Sequence, residues 1–357
     1  MAKNRLVRAG RSLALLGMTT LVLPLALTAQ DSTPPYPRRL SYFPYVTASP
    51  NDGVMAMARA VWFRQSRWDD RVSVHDQVAV EGGYSTKDSW LLRARGDFPR
   101  LADGWRLQVI VQAGKEGMYG GDTPAMRQVA SVEVTRRIQG PVSVALRGDA
   151  THVIVGGSSA TSESEVRGRL ALVIDLRDRE YDTRRGALLQ FGPFIGSMNS
   201  MLGAYALASG WASMGERTRV TARAGIRTGS HLTTNGVRTL PAWEDDFVLG
   251  GGPESNRALP IGARVNKNMM LFAAEIRHDL KVFPGGAIAV LAFVDASRAY
   301  CDCAYLADTP GIAAPMEWTV GPGVGVALRL LRNSVLTATV ARGEHATRLY
   351  ISSGWSW

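Results

Sequence analysis

Apolar and polar residues alternate with a period of two in many segments of this 357-residue chain. In the segment 165–177, charged residues such as Glu165 and Arg167 share one parity. Apolar residues such as Val166 and Leu170 share the other. This is the period of a β-strand with one polar and one apolar face, and it differs from the period of an amphipathic helix. The segments approach the ~10 residues with which a tilted strand crosses a bilayer.

Turn signals separate the alternating segments. Short connections such as Asp103-Gly104 alternate with long polar connections such as 230–268 and 299–317. Short turns at one end of the strands and long loops at the other are the layout of an outer-membrane barrel. The sequence therefore predicts an all-β, transmembrane antiparallel β-barrel of about 16 strands. The predicted strands lie near 42–48, 53–63, 74–85, 89–97, 105–114, 128–138, 142–154, 165–177, 185–196, 203–214, 217–229, 268–280, 286–297, 319–331, 334–342 and 347–357.

The N-terminus has the pattern of a secretion signal. Lys3 and Arg5 open a positively charged region, and an apolar run interrupted by glycine, threonine and proline follows at 13–27. Such an interrupted run is a poor membrane-spanning helix, although an uncleaved anchor is the alternative. The chain thus divides into three predicted regions: a signal peptide at 1–30, a short periplasmic linker at 31–41 and a transmembrane β-barrel at 42–357.

The chain ends on an aromatic residue. Leu349, Trp355 and Trp357 share one parity of the last segment, and polar residues share the other. Amphipathic rings are favoured at the membrane interface, and we assign Trp355 and Trp357 as a C-terminal assembly signal. Taken alone, the pattern also fits the last strand of a soluble sandwich. Together with an export signal, it predicts a location in the cell outer membrane.

The composition of the chain argues against several other classes of protein. Only two cysteines are present, which argues against a disulfide-stapled secreted domain. Cys301 and Cys303 lie in one Cys-Asp-Cys segment without a nearby histidine, so we expect no metal site. The formal net charge of +10 fits binding to outer-membrane lipid and lipopolysaccharide, which are anionic. No nucleic-acid partner is expected for a chain that enters a membrane.

The residues around the longest connection form a distinctive set. Arg257 follows three glycines, Gly250, Gly251 and Gly252, which would act as a hinge and let the loop turn inward. Two later strands each place a carboxylate, Glu275 or Asp295, on the polar parity. A guanidinium in a barrel lumen needs carboxylate partners, so Arg257 would pair with Asp295, Glu275 or both. Arg277 shares the face of Glu275. The alternative is that these charges are solvated separately on the lumen wall.

Several segments together resemble a known family. They are Gly250-Gly251, Asn256-Arg257-Ala258-Leu259, Glu275-Ile276-Arg277, Phe293-Val294-Asp295-Ala296-Ser297 and the Asp-rich turn from Asp178 to Gly186. In kind and order they resemble the bacterial surface-antigen barrel domain of the BamA/TamA superfamily of outer-membrane assembly and translocation proteins. Ala258, Leu259 and Ser297 depart from the family pattern, which has glycine, an aromatic residue and glycine at these places.

The resemblance implies a barrel with the tip of its longest loop held inside and a weak lateral seam between the first and last strands, here 42–48 and 347–357. Family members usually carry POTRA domains ahead of the barrel. We expect this chain to lack them, so a separate periplasmic partner would supply their role. The barrel itself would be inserted into the membrane by the barrel assembly machinery.

We therefore expect a function in outer-membrane protein assembly or translocation. A passive or gated anion-preferring channel is the alternative, because arginines such as Arg167, Arg169 and Arg223 would make the lumen basic. A structural or lipid-interacting barrel is a third possibility. The five histidines are dispersed and no nucleophile motif accompanies them, so we expect no enzyme activity and no cofactor.

Overall fold

The computed structural model describes residues 37–67, 70–118, 123–155, 161–197, 201–231, 255–260, 268–284, 286–299, 317–330 and 334–353. The strands are β1 (Arg38–Ser49), β2 (Gly53–Gln65), β3 (Val74–Ser85), β4 (Trp90–Ala102), β5 (Trp105–Met118), β6 (Thr123–Gln139), β7 (Val142–Val155), β8 (Thr161–Asp175), β9 (Gly186–Gly196), β10 (Met201–Met214), β11 (Thr218–His231), β12 (Met269–Phe283), β13 (Gly286–Ala299), β14 (Thr319–Leu330), β15 (Ser334–Arg342) and β16 (Thr347–Ser353). No helix in these ranges is long and apolar enough to cross a membrane.

The sixteen strands form one closed antiparallel barrel. Each strand pairs with its neighbours in sequence, and β1 closes the barrel against β16. The predicted fold class and strand number are therefore confirmed. The first strand begins at Arg38, before the predicted barrel start at residue 42, because Arg38 to Ser41 pair with Val61 to Arg64 of β2.

The alternation of the sequence separates the two faces of the wall. On β8, Val166 and Leu170 face outward and are 62% and 47% exposed, whereas Arg167 and Arg169 face the lumen and are 3% and 5% exposed. Large apolar side chains are exposed on the outer face of nearly every strand. An apolar outer wall and a polar interior are the pattern of a barrel that lies in lipid. Closure also pairs the backbone groups that an open sheet edge would leave in hydrocarbon.

The two ends of the barrel differ in their connections. At one end, which we call the short-turn end, tight turns join β4 to β5, β6 to β7 and β10 to β11. Gly104 and Gly215 in these turns have φ angles of 67° and 83°, which glycine adopts without steric cost. The opposite end, the loop end, carries the long connection between β11 and β12. Of that connection, residues 255–260 and 268 are described, and the segment 255–260 lies inside the barrel.

Candidate functional site: an inserted loop tip

The loop segment Ser255–Pro260, here called the tip segment, is enclosed by the barrel wall. Asn256, Arg257 and Ala258 are each 0% exposed. Arg257 is the largest of the side chains that are fully buried in the described part of the chain. A buried guanidinium is costly unless all its charge is compensated, so the groups around Arg257 decide whether the tip segment can stay inside.

Arg257 is held by two carboxylates. Its Nε and Nη2 atoms donate to the two oxygens of Asp295, at 2.8 and 2.9 Å. Its Nη1 atom donates to Oε2 of Glu275 at 2.8 Å. Its backbone N–H donates to Oδ2 of Asp295 at 2.9 Å. The paired N–H groups of the planar guanidinium match the paired oxygens of Asp295, which is the strongest common geometry for such a pair.

The register of β12 and β13 places both carboxylates at the right spacing. Asp295 pairs across the strands with Ala273, and Glu275 pairs with Phe293. All of these residues have the parity that faces the lumen, so the two acids lie diagonally on neighbouring strands. The ring of Phe293 lies below the guanidinium of Arg257, with 3.3 Å between Cζ and the ring centroid. The aromatic face adds a cation–π contact on the side that the acids leave uncovered.

Arg277 joins the cluster through Glu275. Its Nη2 atom donates to Oε1 of Glu275, the oxygen that Arg257 does not use. Because Arg277 and Glu275 are two residues apart on β12, they share the lumen face. The structure thus brings together the four charged residues that the sequence singled out, and it places two guanidinium groups against two carboxylates.

Asn256, to which the sequence analysis gave no role of its own, fixes the backbone of the tip segment. Nδ2 of Asn256 donates to Oγ of Ser297 on β13 at 3.0 Å and to the carbonyl of Thr319 on β14 at 2.9 Å. Oδ1 of Asn256 accepts from the backbone N–H of Ala258 at 3.0 Å. The side-chain amide of Asn256 therefore bonds the tip segment to β13 and β14. The same side chain closes a turn within the tip segment.

Ala258 fits because the facing wall has no side chain. A Cβ atom at Gly321 would lie 2.2 Å from Cβ of Ala258. A Cβ atom at Gly323 would lie 2.2 Å from Cζ of Phe293. The glycines of β14 therefore leave the space into which Ala258 and the Phe293 ring pack. Their alternation at positions 321, 323 and 325 is the sequence signal that could have located this contact.

The tip segment also reaches the last strand. The hydroxyl of Tyr350, which is 1% exposed on β16, donates to the carbonyl oxygen of Leu259. The tip segment is thereby bonded to β12, β13, β14 and β16. A short piece of loop connects the interior of the barrel to the strand that closes it.

Some predicted site residues lie outside the described residues. These are the hinge glycines Gly250, Gly251 and Gly252, the C-terminal Trp355 and Trp357, the pair Cys301 and Cys303, the signal peptide at 1–30 and most of the linker at 31–41. Within the described ranges, no group of His, Cys, Asp and Glu side chains has the arrangement of a metal site.

Comparison with solved structures finds similar barrels. BamA from Haemophilus ducreyi lacking POTRA domains 1–3 matches with a TM-score of 0.59 and 11% identity, over 89% of this chain and 70% of that one. CdiB from Escherichia coli matches with a TM-score of 0.58 and 12% identity, over 91% of this chain and 63% of that one. CdiB from Acinetobacter baumannii matches with a TM-score of 0.50 and 13% identity, over 88% of this chain and 65% of that one.

In sequence, no protein-family model and no curated protein matches the chain. The chain spans less than two thirds of the length of either CdiB chain. At 11% to 13% identity, the likeness concerns the fold. The chain has the closed, sixteen-stranded barrel fold of BamA and CdiB, as the resemblance of its motifs to the BamA/TamA superfamily predicted.

Proposed function

We propose that this protein is an outer-membrane barrel that assembles or translocates other proteins, with a lumen closed by the tip segment and a lateral seam between β1 and β16. The apolar outer wall supports the membrane location, because exposed Val, Leu and Ile side chains on most strands are stable in lipid and costly in water. The likeness to BamA and CdiB supports the class of function.

The observation that carries the proposal is the junction that closes the barrel, between β1 and β16. Among the described residues, β1 and β16 are paired at one position, Ala48 with Ile351. On its other side, β16 is paired with β15 continuously from Leu336–Ser353 to Arg342–Thr347. Among the described residues, this junction has the fewest backbone pairs, and we propose that it is the one that opens. An opened edge presents unpaired N–H and C=O groups, which template the addition of a further strand.

The tip segment connects this seam to the interior. The hydroxyl of Tyr350 on β16 donates to the Leu259 carbonyl. Arg257 is paired with Asp295 on β13 and Glu275 on β12. Movement of β16 away from β1 would therefore pull on the segment that fills the lumen. In the proposed cycle, a client strand pairs with the free edge of β1, while the tip segment keeps the rest of the wall in register. A separate periplasmic partner would deliver unfolded clients.

A disulfide across the seam tests this proposal. In a chain with Cys301 and Cys303 changed to serine, we would introduce Ala48→Cys and Ile351→Cys. Directly opposed residues of antiparallel strands have Cα atoms about 4.5–5.5 Å apart, a separation that a disulfide spans. The level of folded outer-membrane proteins would be measured in cells that carry only this variant. We expect assembly to fail while the bond is oxidised and to recover after reduction.

The matched control locks the other side of the same strand. Ala338 pairs with Ile351 across β15 and β16, so Ala338→Cys with Ile351→Cys shares one of the two positions. This pair should form its disulfide and leave assembly unchanged. Full assembly activity with a completely oxidised β1–β16 bond would refute a lateral opening.

A basic lumen supports a second candidate, a passive or gated anion channel. Arg167 and Arg227 lie against the Phe194 ring, with Cζ to centroid distances of 5.9 and 4.8 Å, and Arg169 lies 5.2 Å from the Tyr205 ring. Inward arginines attract anions in a low-dielectric surround. A large, steady and anion-selective conductance of the native barrel, read from the reversal potential in a salt gradient, would favour this candidate over protein assembly.

A further inference from the structure

The connection between β8 and β9, Leu176–Arg185, is unusually long for the short-turn end of the barrel. We call it the strap. At the same short-turn end, β4 and β5 are joined by Asp103 and Gly104 alone. The strap is the Asp-rich segment that the sequence marks before Gly186, and none of the contacts of the tip segment described above involves it.

The strap has a compact fold of its own. Oδ1 of Asp178 accepts hydrogen bonds from the backbone N–H groups of Arg179 and Arg184, at 2.9 and 3.0 Å. The N–H of Asp178 donates to the carbonyl of Arg185 at 3.0 Å. An aspartate that closes a turn in this way replaces the hydrogen bonds of a strand. Gly186 then restarts the sheet with a φ of 119°, where a Cβ atom would lie 2.2 Å from the carbonyl oxygen of Leu176.

On one side, the strap is anchored to β11 and β14 by a single carboxylate. Asp182 accepts hydrogen bonds from Nη1 of Arg219 on β11 and from Nη1 of Arg329 on β14. Both arginines face the lumen, at the short-turn ends of their strands. Asp182 has a φ of 48°, a backbone conformation that few residues other than Gly, Asn and Asp adopt readily. Its side chain is 9% exposed, so the contact is shielded from water.

On the other side, the strap reaches β5 and the connection between β2 and β3. Oε2 of Glu180 accepts from Nη1 of Arg106 on β5 at 2.6 Å. Arg106 is fixed in turn by two hydrogen bonds to Asp97 of β4, at 3.1 and 3.0 Å. The N–H of Glu180 donates to the carbonyl of Arg71 at 2.8 Å, and the Tyr181 hydroxyl to that of Asp70 at 3.3 Å. The strap is therefore tied to widely separated parts of the wall.

The lumen face of β12 connects the strap to the tip segment. Glu275 binds Arg257 of the tip segment, and Arg277 binds Glu275. Two residues further on, Asp279 accepts from Nη2 of Arg219 at 3.2 Å, and Arg219 holds the strap through Asp182. A cavity of about 50 Å³ separates Arg277 from the strap, which is room for a few water molecules.

From these contacts we infer that the strap is a second closure of the lumen, placed at the short-turn end and in series with the tip segment. Each element is held mainly by ion pairs to the inner wall, and each enters from a different end of the barrel. Two barriers in series behave differently from one, because the remaining barrier still limits flow after the other is removed. The inference does not depend on whether the barrel assembles proteins or conducts ions.

Single-channel conductance in planar bilayers tests the inference. Four barrels would be compared: native, Arg257→Ala, Asp182→Asn and the double variant. Asparagine keeps the shape of Asp182 and tolerates its positive φ, but it removes the charge that holds Arg219 and Arg329. We expect each single variant to conduct little more than the native barrel. The double variant should conduct several-fold more than the product of the two single effects predicts.

A matched control is Asp149→Asn. Asp149 is a buried lumen carboxylate that accepts from Arg147 of its own strand at 2.7 Å. Because this contact does not cross the lumen, the control should leave the conductance of both the native and Arg257→Ala barrels unchanged. The inference is overturned if Arg257→Ala alone opens the full pore, or if Asp182→Asn adds nothing to Arg257→Ala. Neither result bears on the disulfide test of the seam.

A labelling experiment covers the case in which the double variant does not fold. Thr221 on β11 faces the lumen and lines the cavity beside the strap. With Cys301 and Cys303 changed to serine, Thr221→Cys would be labelled with a water-soluble maleimide. We expect slow labelling in the native background and labelling several-fold faster with Asp182→Asn. Equal rates in the two backgrounds would overturn the inference.

Discussion

Replacing Arg257 by alanine removes a cation from a site in which both carboxylate partners are buried. Asp295 and Glu275 are 0% and 3% exposed. Glu275 keeps Arg277 beside it, so Asp295 becomes the uncompensated charge. Leaving one partner of a buried ion pair without its counter-charge costs about 3–5 kcal/mol. We therefore expect Arg257→Ala to lower the free energy of unfolding by about this amount, and the loss of the Phe293 contact acts in the same direction.

The free energy of unfolding would be measured by urea titration of the barrel in lipid vesicles, with tryptophan fluorescence as the signal. Arg257→Lys keeps the charge but cannot donate two parallel hydrogen bonds to Asp295 as the planar guanidinium does. Its loss of unfolding free energy should therefore lie between zero and the loss caused by Arg257→Ala. Arg342, whose Nη1 atom donates to the Thr347 hydroxyl at an exposed site, is the surface control. Arg342→Ala should change stability by no more than about 0.5 kcal/mol.

A double-mutant cycle of Arg257 and Asp295 measures the energy of their interaction directly. If the pair acts as a unit, Arg257→Ala and Asp295→Ala should together destabilise the barrel by less than the sum of the two single changes. Additive losses, or a loss below about 1 kcal/mol for Arg257→Ala, would refute the reasoning. In either case the tip segment would not be held by this ion pair.

Two further predictions concern the contacts around the tip segment. Tyr350→Phe removes the hydrogen bond to the half-buried carbonyl of Leu259, which should cost about 0.5–1.5 kcal/mol in the same urea titration; a stability equal to that of the native barrel would contradict the contact. Gly321→Val places methyl groups where Ala258 packs, which should cost about 1–3 kcal/mol and expose the tip segment to added protease. Unchanged protease resistance would show that Ala258 does not approach this wall.

The fold was readable from the sequence because one rule governs the whole chain. In a barrel, every strand has one lipid face and one lumen face, so the period of two recurs in each strand and fixes which face each residue takes. The parity assigned to Arg167 and Val166 agrees with their burial. The start of β1 was placed too late, because Arg38 to Ser41 pair with β2 although their alternation is weak.

The candidate site was only partly readable. Parity alone places Glu275 and Asp295 in the lumen, and a guanidinium that enters the lumen, such as that of Arg257, needs such partners. The choice between one acid and both depends on the register of β12 and β13, which local sequence does not specify. The fit of Ala258 against Gly321 depends on close approach of segments far apart in the chain. The strap was marked only by resemblance, since nothing in its residues predicts contacts with distant strands.

The most direct test of the account asks whether the tip segment lies inside the barrel. Ser255, which is 2% exposed, can be changed to cysteine with little change in size, once Cys301 and Cys303 are serine. Glu344→Cys, at an exposed position between β15 and β16, is the positive control for labelling. With a water-soluble maleimide on the native barrel in membranes, the account predicts rapid labelling at 344 and protection at 255 that Arg257→Ala abolishes. Equally rapid labelling at both positions of the native barrel would contradict an inserted tip segment.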